Sequence, residues 1–232
     1  MIHISLAKEQ VIQMLTIQHE SELALHPDWT KQAWPFHMAI IVEVGELIEH
    51  TTWKWWKDTS KVITPEAMQQ IHLELVDIWH FGMSIKLIQF NLDIEGIADR
   101  IIHDLKDIIS YEPPVKARVE DIGISNYLIE TTVNLVSRAA VFDFDVLEFL
   151  IVCAGCGLDP LRLYNLYLAK NILNQFRQAN GYKEGTYQKI WQGREDNAWL
   201  MDIINENEKV TADMLWSKLY DMYAYRNNVN MP

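Results

Sequence analysis

The chain has 232 residues, 49% of them hydrophobic, which is enough apolar material for one sizeable core or a core with a smaller lobe beside it. Its 32 acidic and 20 basic side chains leave a formal net charge of −12, a field that repels nucleic acid and anionic membrane surfaces. The start, Met1-Ile2-His3-Ile4-Ser5, has no basic segment followed by an apolar one, and no apolar run approaches the ~20 residues of a membrane span, so a cytoplasmic protein with no nucleic-acid and no membrane partner is expected.

In chain order, Val11, Ile12, Met14, Leu15 and Ile17 give the apolar face of a helix running from Ser5 or Leu6 to about Leu25, where His26-Pro27-Asp28 ends it. Asp28 or Thr30 caps a second helix through His50. Thr64-Pro65-Glu66 supplies an N-cap, a first-turn proline and an early acid for a long third helix to about Asn91. Between Asp93 and Ser110, apolar Ile94, Ile97, Ile101, Leu105 and Ile108 alternate with Asp99, Arg100, Asp104 and Lys106 in a helical period.

Tyr111-Glu112-Pro113-Pro114 interrupts that pattern and marks a linker, dividing a single domain into lobes 1–111 and 112–232. Helices follow at about 121–138 and 144–154. Asp159-Pro160 opens another to about Gln178, Gly181 to Gly193 reads as an ordered loop, and Thr211 caps a last helix to about Arg226. No segment reads as a strand, so the fold class is an all-α multi-helix bundle.

Two helices carry acids where the pattern calls for burial. Glu43 and Glu46 are spaced i,i+3 among Ile40, Ile41, Val44, Leu47 and Ile48, and Glu74 and Asp77 repeat that spacing among Ile71, Leu73, Leu75, Val76, Ile78 and Trp79. Each pair projects from one face of its helix. Such pairs also serve as caps and ion-pair partners on bundle rims, but four carboxylates in apolar helices are costly to ionise without a compensating cation. An all-oxygen donor set suits Mg2+, with Mn2+ as a substitute, and both complete their shells with phosphate.

A second constellation is basic. Lys170, Asn174 and Arg177 fall at i, i+4 and i+7, with Tyr182, Lys183, Tyr187 and Lys189 just beyond. In so acidic a chain that stripe is either a phosphate clamp or a solvated helix face. Cys153 and Cys156 lack the second ligand pair of a zinc site and the βαβ setting of a redox motif, and read as two reduced thiols at a helix end. Gly155-Cys156-Gly157 is no dinucleotide fingerprint, and no P-loop or nucleophile elbow occurs.

Taken together, these residues resemble the all-α dimeric dUTPases within the all-α nucleoside triphosphate pyrophosphatase superfamily. The resemblance rests on Glu43-x-x-Glu46 with Glu74-x-x-Asp77, on Trp53 to Lys57, on Asp77-Ile78-Trp79-His80-Phe81, and on Lys170 to Arg177 followed by Gly181-Tyr182-Lys183 and Tyr187-x-Lys189. These blocks cover most of the chain between Gln18 and Asn197. The resemblance implies a homodimeric hydrolase of nucleotide metabolism that converts dUTP, and also dUDP, to dUMP with two or more Mg2+. It implies Glu43, Glu46, Glu74 and Asp77 as metal ligands, and the chemistry of those parts makes Glu46 or Glu43 the catalytic base. It also implies Gln18, Trp55 and His80 in the nucleoside pocket, and Lys170, Asn174, Arg177, Tyr182 and Lys189 on the phosphates. Ser21 departs from the Asn that the family often carries three residues after the glutamine.

The acidic pattern alone is shared with MazG-type enzymes acting on other nucleoside triphosphates. From other classes, Asp77-x-x-His80 beside Glu74 suggests a di-iron carboxylate bundle, which needs a Glu-x-x-His from each of two helices, and a non-catalytic helical protein would keep the acids without turnover.

Overall fold

A computed structural model describes residues 6–54, 56–57, 63–109, 126–207 and 210–226. Trp55 and the Pro113-Pro114 linker lie outside these residues. The chain divides into two compact units, Met1–Tyr164 and Asn165–Pro232. The fold is all-α, and among the described residues no helix is long and apolar enough to cross a membrane.

The first unit contains α1 (Lys8–Leu25), a 3-10 turn (Trp29–Lys31), α2 (Phe36–Glu49), α3 (Pro65–Gln89), α4 (Ile94–Ile109), α5 (Asn126–Ala140), α6 (Val146–Gly155) and the start of α7 (Pro160–Ala179). α3 is its axis. Thr64 caps α3 by accepting the Ala67 amide at 3.2 Å, and Pro65 takes the first helical position. The helix is buried on nearly every side from Ile71 to His80. α2 lies along it, α1 packs on α3 and α4, α5 covers α2, and α6 closes against α4, α5 and α3. Trp79, 1% exposed, stacks on Phe149 with ring centroids 5.1 Å apart and planes at 12°. Phe144 comes so close to α3 that a Cβ on Gly82 would sit 2.3 Å from its Cε1. The packing there requires glycine.

The second unit contains most of α7, a two-residue ladder of β1 (Ile190–Trp191) with β2 (Arg194–Glu195), α8 (Asp196–Glu206) and α9 (Ala212–Ala224). Its core is aromatic: Phe176 meets Trp191, Trp216 and Tyr223 edge-on at 5.4–6.0 Å, and Tyr187 stacks on Tyr223 at 5.2 Å.

Two expectations from sequence are corrected. The second helix starts at Phe36, because Trp34-Pro35 cannot be helical through the proline, and the Asp28–Thr30 region instead forms the 3-10 turn. The Gly181–Gly193 loop ends in a hairpin that pattern did not show. Its two-residue turn puts Gln192 (φ 50°) and Gly193 (φ 80°) in the left-handed region, and Gln-Gly lacks the usual Asn-Gly signature. α8, which the sequence reading does not assign, follows at once, with Glu195 at its N-cap and no side-chain cap bond, so that Asp196 in its first turn is its start signal. The cap expectations at Asp159 and Thr211 hold: Asp159 accepts the Arg162 amide at 2.9 Å and Thr211 that of Met214 at 3.3 Å.

Candidate functional site

α2 and α3 run together, and that contact turns two separate i,i+3 pairs into one cluster. One carboxylate oxygen each from Glu43, Glu46 and Glu74 lies within 4.8 Å of the others. Glu74 is buried, Glu43 half-buried and Glu46 exposed, so the cluster opens to solvent on the α2 side. The expectation that all these acids are interior is corrected accordingly. Asp77 is half-buried on the same face of α3 and is not among the three that converge within 4.8 Å, although its charge reaches Glu43.

The electrostatic strain concentrates on Glu43. Burial, then the charges of Asp77 and Glu74, then a hydrogen bond to Glu74 and the charge of Glu46 push its carboxyl up to about 8. Among the described residues no Lys or Arg pairs with Glu43, Glu46 or Glu74. His50, at the C-cap of α2, sets its Nε2 3.4 Å from Glu74 Oε1. Converging carboxylates without a cationic side chain are a fitting donor set for a hard divalent ion.

Farther along the same stripe of α3, a second group of polar side chains is buried. Gln18 from α1 is 4% exposed and His80 is 8% exposed. His80 Nδ1 and Gln18 Oε1 are 2.8 Å apart, a contact in which the ring nitrogen donates. Gln18 Nε2 donates to Glu22 Oε1 and to Ser84 Oγ, both at 2.9 Å, and Ser84 Oγ donates to Glu22 Oε1 at 2.8 Å. Burial raises the Glu22 carboxyl above its ordinary value, while the bonds from Ser84 and Gln18 pull it back down. Trp55 lies outside the described residues; its neighbours Trp53 and Trp56 meet edge-on at 5.2 Å.

In the second unit, the basic stripe of α7 faces inward. Arg177 Nε and Nη2 donate to the two oxygens of Asp196 at 2.8 Å each. Its Nη1 reaches Asn174 Oδ1 at 3.2 Å and its Nη2 also reaches Asn197 Oδ1 at 3.2 Å. Lys170, 2% exposed, donates to that same Asn197 oxygen at 3.1 Å. The Tyr187 hydroxyl donates to Asp196 at 2.8 Å, and burial together with the Asp196 charge pushes that phenol far above its usual range. Tyr182 and Lys189 are the exposed members of the set, with the Lys189 ammonium 5.7 Å from the Tyr182 ring centroid.

Sequence reading missed five of these partners. Glu22 and Ser84 each carried a weak signal, being four residues beyond Gln18 and His80 on a helix. His50 carried none beyond its place at a helix end, and Asp196 and Asn197 are brought to α7 only by the hairpin turn. The cysteines need no function: Cys153 and Cys156 are buried thiols, and burial pushes Cys156 up to about 12 and Cys153 well upward too.

A family model described as dUTPase matches residues 5–182. A comparison with curated proteins gives no match. The matched span takes in both acid pairs, the Gln18–His80 contact and α7 through Arg177 to Tyr182, well over half of the chain, and on that ground the chain belongs to the all-α dUTPase family, which hydrolyses dUTP to dUMP.

Proposed function

We propose that this dUTP diphosphatase works with two or more divalent cations, Mg2+ or in its place Mn2+, held by Glu43, Glu46, Glu74 and Asp77. The observation that carries the reading is the convergence of three carboxylates within 4.8 Å with no Lys or Arg partner among the described residues. When bound, such cations neutralise the triphosphate and lower the pKa of a coordinated water. A carboxylate of the α2 pair, Glu43 or Glu46, takes the proton of the attacking water. Gln18, Trp55 and His80 receive the nucleoside, and Lys170, Asn174, Arg177, Tyr182 and Lys189 take the phosphates.

Pyrophosphate leaves when dUTP is the substrate, and dUDP is hydrolysed by the same residues. A panel of dUTP, dUDP, dCTP, dTTP and UTP, assayed with Mg2+, with Mn2+ and with EDTA, tests the reading. Turnover of dUTP that persists in EDTA overturns the metal assignment, and equal kcat/KM across the triphosphates overturns the uracil and deoxyribose selection.

The working form is a homodimer. Met38 and Val42 on α2 are 50% and 52% exposed, and Val133, Val141 and Phe142 on and after the adjoining α5 are 52%, 67% and 67% exposed, an apolar surface that supports association. A monomeric mass by light scattering at micromolar concentration counts against it. Two cysteines kept as buried thiols support a reducing, cytoplasmic setting, and the net charge of −12 supports the absence of a nucleic-acid partner.

A further inference from the structure

The loop that joins α7 to β1 carries two exposed side chains, Tyr182 and Lys189, and is pinned near both ends to the buried residue Asp196. At the start, the Asp196 carboxylate takes Arg177 Nε and Nη2 at 2.8 Å, and the Arg177 carbonyl accepts the Tyr182 amide at 3.0 Å. At the end, Asp196 Oδ2 takes the Tyr187 hydroxyl at 2.8 Å, and the Asp196 amide donates to the Lys189 carbonyl at 2.9 Å. Between these anchors the loop closes on itself. The carbonyl of Gly181, a residue with φ 89°, accepts the amides of Thr186 at 2.9 Å and Tyr187 at 3.2 Å. Gln188, next to Lys189, gives its amide to the Tyr223 hydroxyl and accepts the Trp191 indole on its carbonyl. The Tyr187 ring links the core to the surface: it stacks on Tyr223 and stands 6.1 Å from the Tyr182 ring, whose centroid is 5.7 Å from the Lys189 ammonium.

We propose that Tyr187, held by Asp196, is a positioning residue for the phosphate contact of Lys189. The inference rests on the reading of Lys189 as a phosphate residue, and it needs no group of the buried cluster to reach the substrate. A lysine on a loose loop has both its backbone and its long stem to order when it meets a ligand, and that ordering subtracts from binding. Here the backbone at Lys189 is already set, by Asp196 directly and by Tyr187 two residues before it. Less remains to be ordered when a phosphate arrives, which is the advantage of a prearranged contact. Burial and the Asp196 charge push the Tyr187 phenol far above its usual range, so at neutral pH it keeps the proton that it donates.

Asp196→Asn would disturb the fold itself. Asp196 Oδ1 accepts Arg177 Nη2 and the Asn197 amide, and Oδ2 accepts Arg177 Nε and the Tyr187 hydroxyl, so an amide nitrogen in either place would face donors. The test is therefore Tyr187→Phe, which keeps the ring and its stacking and removes the hydroxyl. In protein shown to be folded by urea denaturation, kcat/KM for dUTP should fall about tenfold, the scale of a misplaced contact. Lys189→Ala should lower it by about tenfold or more, as one charge-assisted contact is lost. Tyr187→Phe added to Lys189→Ala should then cost less than about threefold further, because the group that it positions has gone. A purely structural effect would multiply with the loss of Lys189, so a double variant about a hundredfold or more down, with each single change costing about tenfold, overturns the proposal and leaves Tyr187 a structural residue. A folded Tyr187→Phe protein with the parent's kcat/KM, while Lys189→Ala is impaired, also overturns the positioning role and leaves the phosphate reading standing. If Lys189→Ala itself keeps the parent's kcat/KM, the phosphate reading of Lys189 fails and the proposal falls with it.

Discussion

Arg177 on α7 and Asp196 at the start of α8 are joined by two hydrogen bonds of 2.8 Å, with the Asp196 side chain 1% exposed and the Arg177 side chain 10% exposed. The planar guanidinium fits the carboxylate fork to fork, the strongest geometry available to an ion pair. Tyr187 adds a third bond to the same carboxylate. A side chain that reads in sequence as one step of a cationic stripe is therefore also the tie between α7 and the segment after the hairpin.

Removing the arginine should weaken the fold as well as the reaction. Arg177→Ala leaves Asp196 buried and without its charge partner, a change that costs about 3–5 kcal/mol when one member of a buried pair is lost. Arg177→Lys should recover part of the stability and less of the activity, since an ammonium cannot reproduce the fork. Urea unfolding and steady-state kinetics on both variants check this. An Arg177→Ala protein of unaltered stability would show that the buried pair contributes little.

On the proposed metal assignment, Glu74→Gln should lower dUTP hydrolysis by about a hundredfold or more, because the acid cluster would lose one of its donors. In EDTA the variant should be at least as stable as the parent, because one of the mutually repelling acids around Glu43 has gone. Turnover and the thermal midpoint in EDTA are the measurements. An active but strongly destabilised variant would make Glu74 chiefly the structural partner of His50.

The acid cluster also sets a pH dependence. Glu43 keeps its proton to about pH 8 in the folded chain, against an ordinary value of 4.5, so its folded pKa is raised. The stability associated with it is complete below about 4.5 and is lost as pH rises toward 8. His72 acts in the other direction at lower pH: burial lowers its pKa, so protonation of the unfolded chain removes stability as pH falls below 6.5. In EDTA, the thermal midpoint should therefore fall between pH 6.5 and 8.5, and Glu43→Gln should flatten that slope. Excess Mg2+ should remove or reverse it, since a cation favours the ionised acids.

Gly82→Ala tests the packing of α3. Alanine favours a helix over glycine by about 1 kcal/mol, but its Cβ would press into the Phe144 ring, which also packs on Trp79 and Phe149. Overpacking of that kind costs about 1–3 kcal/mol, and the net change should be destabilising by urea denaturation. Phe144→Leu in the same chain should return part of the loss.

The all-α class and the paired acids were legible because both depend on local periodicity. Glu43, Glu46, Glu74 and Asp77 each declare their helix face by spacing, and Thr64, Asp159 and Thr211 declare helix starts by cap chemistry. What spacing cannot report is which face meets which. The inward turn of Lys170 and Arg177 depends on Asp196 and Asn197, which arrive through a hairpin whose Gln192 adopts a backbone that glutamine seldom favours. The start of α2 was misread because cap-like Asp28 and Thr30 precede the stronger constraint of Pro35. Glu22 was passed over because a polar residue on an otherwise apolar helix looks like a surface position until its partner helix is known.

Glu74, Asp77, His80 and Ser84 ride on one continuous helix, and that arrangement restricts how the protein can change over evolutionary time. A helix turns about 100° per residue, so inserting or deleting one residue between Asp77 and His80 would swing one group out of line with the other. The acids and the polar side chains beside Gln18 cannot drift apart through loop variation, which is the usual route by which enzymes acquire new substrates. Any change in how the acids stand to that buried polar group would have to arise by substitution at fixed positions, with Gln18, Glu22, His80 and Ser84 replaced in concert while the length of α3 stays the same.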